Sequence, residues 1–167
     1  ADNNTGLGAY TLYDNTTGAS NTAVGFSALA NNTTGTRNTA VGISSGAATT
    51  TGGNNASFGA YSLLTNITSS YNAAFGDSAL YHSTAANNTG LGYGACYRTT
   101  SGANNTAVGS SALYNNTTGP NNTATGYGAL FTNTTGSNNS AAGYSALGAN
   151  TTGSSNAAFG LVALATN

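Results

Sequence analysis

The segment Asn21-Thr22-Ala23-Val24-Gly25 recurs in ten related copies along this chain of 167 residues. Successive copies begin 17 residues apart, apart from one interval of 16 residues in the middle of the chain. A short, fixed period predicts a solenoid, in which each repeat makes one coil and each coil stacks on its neighbours. The copies begin at Asn4, Asn21, Asn38, Asn55, Asn72, Asn88, Asn105, Asn122, Asn139 and Asn156.

We number each coil from its first asparagine, so that Asn21 is position 1 and Gly25 is position 5 of coil 2. Glycine occupies position 5 in every coil, which suits a corner that needs a positive φ or a close backbone approach. Position 3 is small, position 4 is mostly apolar, position 8 is small, and position 9 is leucine in eight coils. The position 5 glycines are Gly8, Gly25, Gly42, Gly59, Gly76, Gly92, Gly109, Gly126, Gly143 and Gly160.

These positions predict an all-β fold, a parallel β-solenoid or β-roll of ten coils. Alternation over positions 2 to 4 indicates a short strand, and we expect a second strand around positions 8 and 9. The following stretch, exemplified by Asn31–Gly35, has the composition of a turn. Stacked strands lie ~4.8 Å apart, so ten coils span roughly 48 Å. The position 1 asparagines are predicted to form an inward ladder, with amides bonded along the axis.

Charge is scarce, because only 3% of the residues are charged and the net charge is −1. This argues against a nucleic-acid partner, which needs a basic surface, and against a polybasic membrane anchor. Apolar runs fall short of the ~20 residues of a spanning helix, so we expect no membrane insertion. Ala1 in place of methionine indicates a processed chain or a segment of a longer one.

Candidate catalytic groups are few, and they do not repeat in register. We therefore predict no enzyme activity, no metal site and no cofactor. The single Cys96 cannot form an internal disulfide or a cysteine cluster, and it replaces a position 9 leucine, which predicts a buried thiol. The other candidates are Asp2, Asp14, Asp77, His82, Arg37 and Arg98.

The chain also contains a longer repeat, because Asn3–Gly8 matches Asn87–Gly92 at an offset of 84 residues. We interpret residues 1–167 as one solenoid domain with two similar five-coil blocks, 4–87 and 88–167. Placing Ala1 after Asn167 nearly continues the repeat. Contacts of this head-to-tail kind do not close and produce fibres, so the chain is predicted to be one segment of a fibre, by covalent continuation or by stacking.

Large apolar residues at positions 4 and 9 alone give each coil a thin core, which favours further burial between chains. Aromatic residues at positions 6, 7 and 10 are expected to form a discontinuous stripe. This stripe suits packing between chains, or a platform on which sugars stack. Its members are Phe26, Tyr93, Tyr127 and Tyr144 at position 6, Tyr10 and Tyr61 at position 7, and Tyr13, Tyr81, Tyr97, Tyr114 and Phe131 at position 10.

Threonine recurs in the bend near the end of each coil, and two interpretations stay open. Threonine hydroxyls commonly satisfy backbone groups in turns, whereas a regular array on a charge-poor solenoid resembles the surface of ice-binding proteins. The row comprises Thr17, Thr34, Thr51, Thr68, Thr84, Thr118, Thr135 and Thr152, with Ser101 in coil 6.

Asn-x-Ser/Thr sequons occur in the same bends. Turn chemistry alone produces them in this composition, but in a secreted glycoprotein they predict a row of glycans along the loop edge. The candidate acceptors are Asn15, Asn32, Asn55, Asn66, Asn116, Asn133 and Asn150.

Asn21–Gly25 followed by a small residue and leucine resembles the head repeat of the YadA-like trimeric autotransporter adhesins. Similar repeats occur in phage tail-fibre shafts and related secreted bacterial proteins. The resemblance covers essentially the whole chain, although this coil contains an additional Asn-Thr-Thr-Gly turn. It implies a left-handed β-roll at a cell surface, with three chains side by side. It further implies adhesion to matrix or host glycoprotein, or a rigid spacer, without catalysis.

Overall fold

The computed structural model describes residues 2–166, which form ten three-residue strands joined by turns and bends, without a helix in this range. The predicted all-β solenoid is therefore confirmed. Ala1 and Asn167, which entered the predicted continuation of the repeat, lie outside the described residues. The strands are β1 Thr5–Leu7, β2 Thr22–Val24, β3 Thr39–Val41, β4 Ala56–Phe58, β5 Ala73–Phe75, β6 Thr89–Leu91, β7 Thr106–Val108, β8 Thr123–Thr125, β9 Ser140–Ala142 and β10 Ala157–Phe159.

All ten strands belong to one parallel sheet, in which each strand pairs only with the strands of adjacent coils. The register places equal positions opposite each other, so that Thr22 pairs with Thr39 and Val24 with Val41. The shortened interval keeps this register, because Ala73 pairs with Thr89. Like residues therefore form columns along the solenoid axis.

The predicted second strand is wrong. Ser27 at position 7 has a φ of 55° and Leu29 at position 9 a φ of 50°, whereas a strand needs a negative φ. The chain instead makes turns, with Ala28 N–H donating to the Gly25 carbonyl over 3.3 Å. Coil-to-coil bonds alternate with these turns, as in the 3.1 Å bond from Leu29 N–H to the Ser45 carbonyl. The side chain at position 9 is thereby directed inward without an extended backbone.

The interior contains smaller residues than expected, because position 4 faces outward. In β2, Ala23 is buried, while Thr22 and Val24 on either side are half-buried. Side chains alternate between the two faces of a strand, so burial of position 3 places position 4 on the outer face. The core consists of small residues at positions 3 and 8 and the position 9 leucine. Each coil thus contributes at most one large apolar residue to the core.

The apolar core is interrupted near coil 3. One cluster surrounds Leu29, and a second extends from Leu63 to the last coil. Between them, Gly46 replaces leucine, and Ser45 lies 2.7 Å from Ser57 and 3.0 Å from Ser62, measured between hydroxyl oxygens. We call Ser45, Ser57 and Ser62 the hydroxyl cluster.

Coil 5 is one residue shorter than the other coils, and the missing residue belongs to its bend. Thr84 donates its N–H and its hydroxyl to the Thr100 carbonyl, at 3.0 and 2.9 Å, which is the pattern of position 13. The predicted alignment of Thr84 with the position 14 threonines is therefore wrong. Because Ala85 stands alone in place of the usual Thr-Gly pair, the buried Nδ2 of Asn72 has no hydrogen-bond partner within residues 2–166.

Candidate functional site

The position 1 asparagines form a buried column that joins each coil to the next. At Asn122, Oδ1 accepts the Asn139 N–H over 2.9 Å, and Nδ2 donates to the Gly136 carbonyl over 2.8 Å. The expected bonds between amide groups occur at three steps, from Asn105 to Asn88, from Asn139 to Asn122 and from Asn156 to Asn139, at 3.2, 3.1 and 3.1 Å. The bond from a backbone N–H to the amide oxygen of the preceding coil occurs at every step. One asparagine therefore satisfies a donor of the following coil and an acceptor of its own bend.

A second asparagine column, at position 12, was not recognised in the sequence as an interior feature. Asn133 Nδ2 donates to Asn116 Oδ1 over 2.9 Å and to the Gly136 carbonyl over 3.0 Å. The Asn-x-x-Gly spacing was the available signal, since the side chain bonds the carbonyl three residues later. The column contains Asn15, Asn32, Asn66, Asn116, Asn133 and Asn150.

This second column corrects the glycosylation hypothesis. Apart from Asn15, which is half-buried, its members are enclosed by the coils, and Asn55 in the first column is also buried. A glycan is bulky and needs surface. Attachment to these buried amides is therefore incompatible with the folded solenoid.

The position 5 glycines mark the closest approach between coils. Their φ values lie between 121° and 135°, a region that L-residues with a side chain avoid. A Cβ added to Gly109 would lie 2.6 Å from the carbonyl oxygen of Gly126 in the next coil. At Gly160 in the last coil, an added Cβ meets nothing within 4 Å, because no further coil covers it in residues 2–166.

The two end coils offer complementary hydrogen-bonding groups. The last ladder bond runs from Asn156 to Asn139, because the Asn156 N–H donates to Asn139 Oδ1 over 2.9 Å. Its own Oδ1 faces the open end, where a following coil would supply the next N–H. At the opposite end, Asn4 Oδ1 accepts the Asn21 N–H over 2.8 Å, while the Asn4 N–H faces the side from which a preceding coil would bond. One end thus presents the acceptor of a ladder bond, and the other end presents the donor.

The threonine row separates into two columns with different roles. Hydroxyls at position 13 are occupied by the backbone, as where Thr117 donates to the Thr134 carbonyl over 2.9 Å. The position 14 threonines are exposed and lie in bends. The candidate face is therefore a single column at a corner, comprising Thr17, Thr34, Thr51, Thr68, Thr118, Thr135 and Thr152.

Aromatic side chains line two walls of one flank. Tyr81, Tyr97, Tyr114 and Phe131 at position 10 stack with successive centroid distances of 5.1, 4.9 and 5.4 Å. We call these four residues the aromatic ladder. At position 6, Tyr127 and Tyr144 stack at 5.2 Å and form the second wall.

Between these walls, over coils 8 to 10, lies a depression of about 410 Å³ that we call the aromatic groove. Position 7 forms its floor, and position 10 is small beyond Phe131. Its lining residues are Tyr127, Gly128, Phe131, Ser145, Gly148, Ala149 and Ala165.

A second apolar surface shares position 6 with this flank and follows the outer face of the sheet. It comprises positions 4 and 6, and we call it the outer stripe. Phe58 and Phe75 stack there at 4.9 Å with nearly parallel rings, and Phe26 and Ile43 are more than half exposed. The sequence predicted one aromatic stripe and placed position 4 in the core. The structure instead leaves position 4 on the outside, beside position 6.

The described residues contain no cluster of three or more His, Cys, Asp or Glu suited to a metal ion. Burial raises the pKa of the Cys96 thiol to about 12, so the thiol is protonated at neutral pH. Residues 2–166 also include no helix able to cross a membrane.

Comparison with models of known protein families, with curated proteins and with solved structures gave no match.

Proposed function

We propose that this chain is a segment of a rigid extracellular fibre, such as an adhesin shaft or a phage fibre, in which coils continue to stack from one copy to the next. The observation that carries the proposal is the complementarity of the end coils. The Asn156 Oδ1 acceptor and the Asn4 N–H donor occupy the two faces that every interior step of the ladder joins. Open strand edges recruit further strands, and a head-to-tail contact without closure produces a filament.

Rigidity follows from the density of bonds between successive coils. Coil 7 donates from Leu113 N–H to the Ala129 carbonyl over 2.9 Å and from Thr117 N–H to the Thr134 carbonyl over 2.9 Å. The asparagine columns add side-chain bonds at the same step. A fibre of this kind acts by holding its surface in a fixed, repeated arrangement, which needs neither charge nor catalysis.

Side-by-side contact between solenoids adds a second mode of self-association. The outer stripe exposes large apolar groups over most of the coils, and contiguous patches of this sort mark interaction surfaces. Each coil buries at most one large apolar residue of its own. Packing the outer stripe of one copy against another gives the remaining apolar residues a partner.

Electron microscopy of the untagged chain at high concentration tests the proposal. We expect unbranched filaments with an axial spacing of about 4.8 Å. Gly160→Ala places a methyl group on the open end face, where the corresponding contact in coil 7 is only 2.6 Å from a carbonyl oxygen. This variant should keep the circular dichroism spectrum of the chain and lose the filaments.

Thr118→Ala is the matched control, because Thr118 is exposed in the bend of coil 7, which is covered by further coils and lies away from both end faces. It should form filaments like the unmodified chain. Particles of the unmodified chain that stay single at high concentration, with their fold intact, would contradict the proposal.

Ice binding is the second candidate function, and the exposed position 14 column is the observation that favours it. The column supplies one threonine in most coils at the repeat of the solenoid. A thermal-hysteresis measurement, with Thr118→Lys in the middle of the column as the disrupting variant, decides this candidate. No hysteresis in the unmodified chain would remove it.

A further inference from the structure

The aromatic ladder ends at coil 8, and its last ring has a stacking partner on one side only. Phe131 packs against Tyr114 on one side at 5.4 Å. On the other side, position 10 holds Gly148 and Ala165, neither of which supplies a ring. Phe131 consequently keeps 38% of its surface exposed, inside the aromatic groove.

The groove also has a shape suited to a flat group. Tyr127, stacked on Tyr144, forms the opposite wall, and Gly128 and Ser145 at position 7 form a floor of small residues. An added Cβ at Gly128 would meet only the Ser145 hydroxyl, at 3.4 Å. A volume of about 410 Å³ lies at the lower end of the range for ligand sites.

The chemistry of the lining restricts the ligand class. None of the lining residues is charged, and the polar side chains are the hydroxyls of Ser145 and Tyr127. A ring face carries negative electrostatic potential and attracts weakly positive C–H groups. A pyranose combines a C–H face of this kind with hydroxyl groups at its edge. We propose that the aromatic groove binds a neutral glycan, with one pyranose ring stacked on the free face of Phe131.

The same flank in the first coils shows how the groove is closed. Tyr10 at position 7 lies between Tyr13 and Phe26, with centroid distances of 5.7 and 5.6 Å. Its φ of 58° matches the 62° of Gly128, so a tyrosine is compatible with the backbone at position 7. Gly128→Tyr should therefore fill the groove without disturbing the coil.

The test uses maltohexaose, cellohexaose and chitohexaose as probes, titrated by calorimetry and by NMR of the aromatic side chains. The chain carries Gly160→Ala in every sample, so that the measurement does not depend on filament formation. We expect saturable binding of at least one probe, with the Phe131 signals shifted. Gly128→Tyr and Phe131→Ala should each weaken it by about tenfold or more, as expected for loss of an aromatic contact.

Ser44→Tyr is the matched control, since it places a tyrosine at position 7 of coil 3, at a φ of 52°, outside the groove. It should bind like the parent chain. No saturable binding at probe concentrations up to about 10 mM would overturn the proposal. Equal losses in Gly128→Tyr and Ser44→Tyr would also overturn it, because they would place the binding elsewhere. The filament images of the parent chain decide the fibre separately.

Discussion

The two five-coil blocks share one backbone but differ in what they enclose and display. In the first block, the hydroxyl cluster and Gly46 interrupt the apolar core, and Tyr10 fills the flank between positions 6 and 10. In the second block, the core is continuous, and Gly128 leaves the aromatic groove open. Both blocks keep every position 1 asparagine and position 5 glycine. The residues that connect the backbones of successive coils therefore specify the coil. The other positions differ between the blocks in what they bury and expose.

The largest expected effect comes from breaking the glycine column inside either block. Gly42→Ala and Gly109→Ala each add a Cβ within 2.6 Å of the next coil's backbone, at φ values of 131° and 128°. Strain and overpacking together should lower the free energy of unfolding by about 3–6 kcal/mol, equally in the two blocks. Chemical denaturation measures this loss. Gly160→Ala shares the positive φ, at 122°, but meets no neighbour; as the control it should lose only the strain part, about 1–3 kcal/mol.

Removal of a ladder amide comes second. Asn38→Ala in the first block leaves the buried Asn55 N–H and the Gly52 carbonyl without partners. Asn122→Ala in the second leaves only the Asn139 N–H, because Asn133 Nδ2 still donates to the Gly136 carbonyl. An unsatisfied buried group costs about 1–3 kcal/mol, so denaturant unfolding should show a loss of about 2–6 kcal/mol for Asn38→Ala and about 1–3 kcal/mol for Asn122→Ala.

Asn115→Ala is the control for this pair, because the Asn115 side chain makes no hydrogen bond within residues 2–166. It should unfold close to the unmodified chain. A small loss in Asn38→Ala alone would mean that the first block does not depend on its ladder.

Substitutions in the hydroxyl cluster should change the stability less, and they remove one difference between the cores of the two blocks. Ser45→Ala alone removes one hydrogen bond from Ser57 and one from Ser62, which keep their bonds to the Thr39 and Gly59 carbonyls, and should cost about 1–2 kcal/mol. Replacing all three serines with alanine gives positions 3 and 8 the residue that predominates there in the second block. This variant should be close to neutral. Thermal unfolding of both variants decides this. A triple variant less stable than Ser45→Ala would show that the cluster stabilises the first block.

The smallest effect concerns Cys96, the second block's replacement for a position 9 leucine. Its pKa of about 12 exceeds the ordinary value of 9.0, so the folded state holds the proton more tightly than the unfolded state. This contribution to stability is complete below pH 9 and declines above it, by up to about 1.4 kcal/mol per pH unit. Denaturation of the unmodified chain and Cys96→Ala from pH 7 to 10 should show their stability difference shifting against the unmodified chain above pH 9. A constant difference would contradict the buried, protonated thiol.

The period, the parallel sheet and the close approach at position 5 could be predicted from the sequence, because they depend only on which residues recur. The direction of position 4 could not. Alternation assigns residues to two faces but does not say which face is inside, and the smaller residue, Ala23, turned out to be the buried one. The aromatic stripe at positions 6, 7 and 10 was predicted, but the groove within it was not, because its shape depends on the positive φ values at positions 7 and 9.

We expect the position 1 asparagine column and the position 5 glycine column to continue from one copy to the next. Cryo-electron microscopy of filaments at side-chain resolution tests this most directly. The expected junction places Asn156 Oδ1 within hydrogen-bonding distance of the Asn4 N–H of the next copy, with Gly160 against the next Gly8. Filaments joined only through the outer stripe, or isolated particles with free end coils, would contradict it.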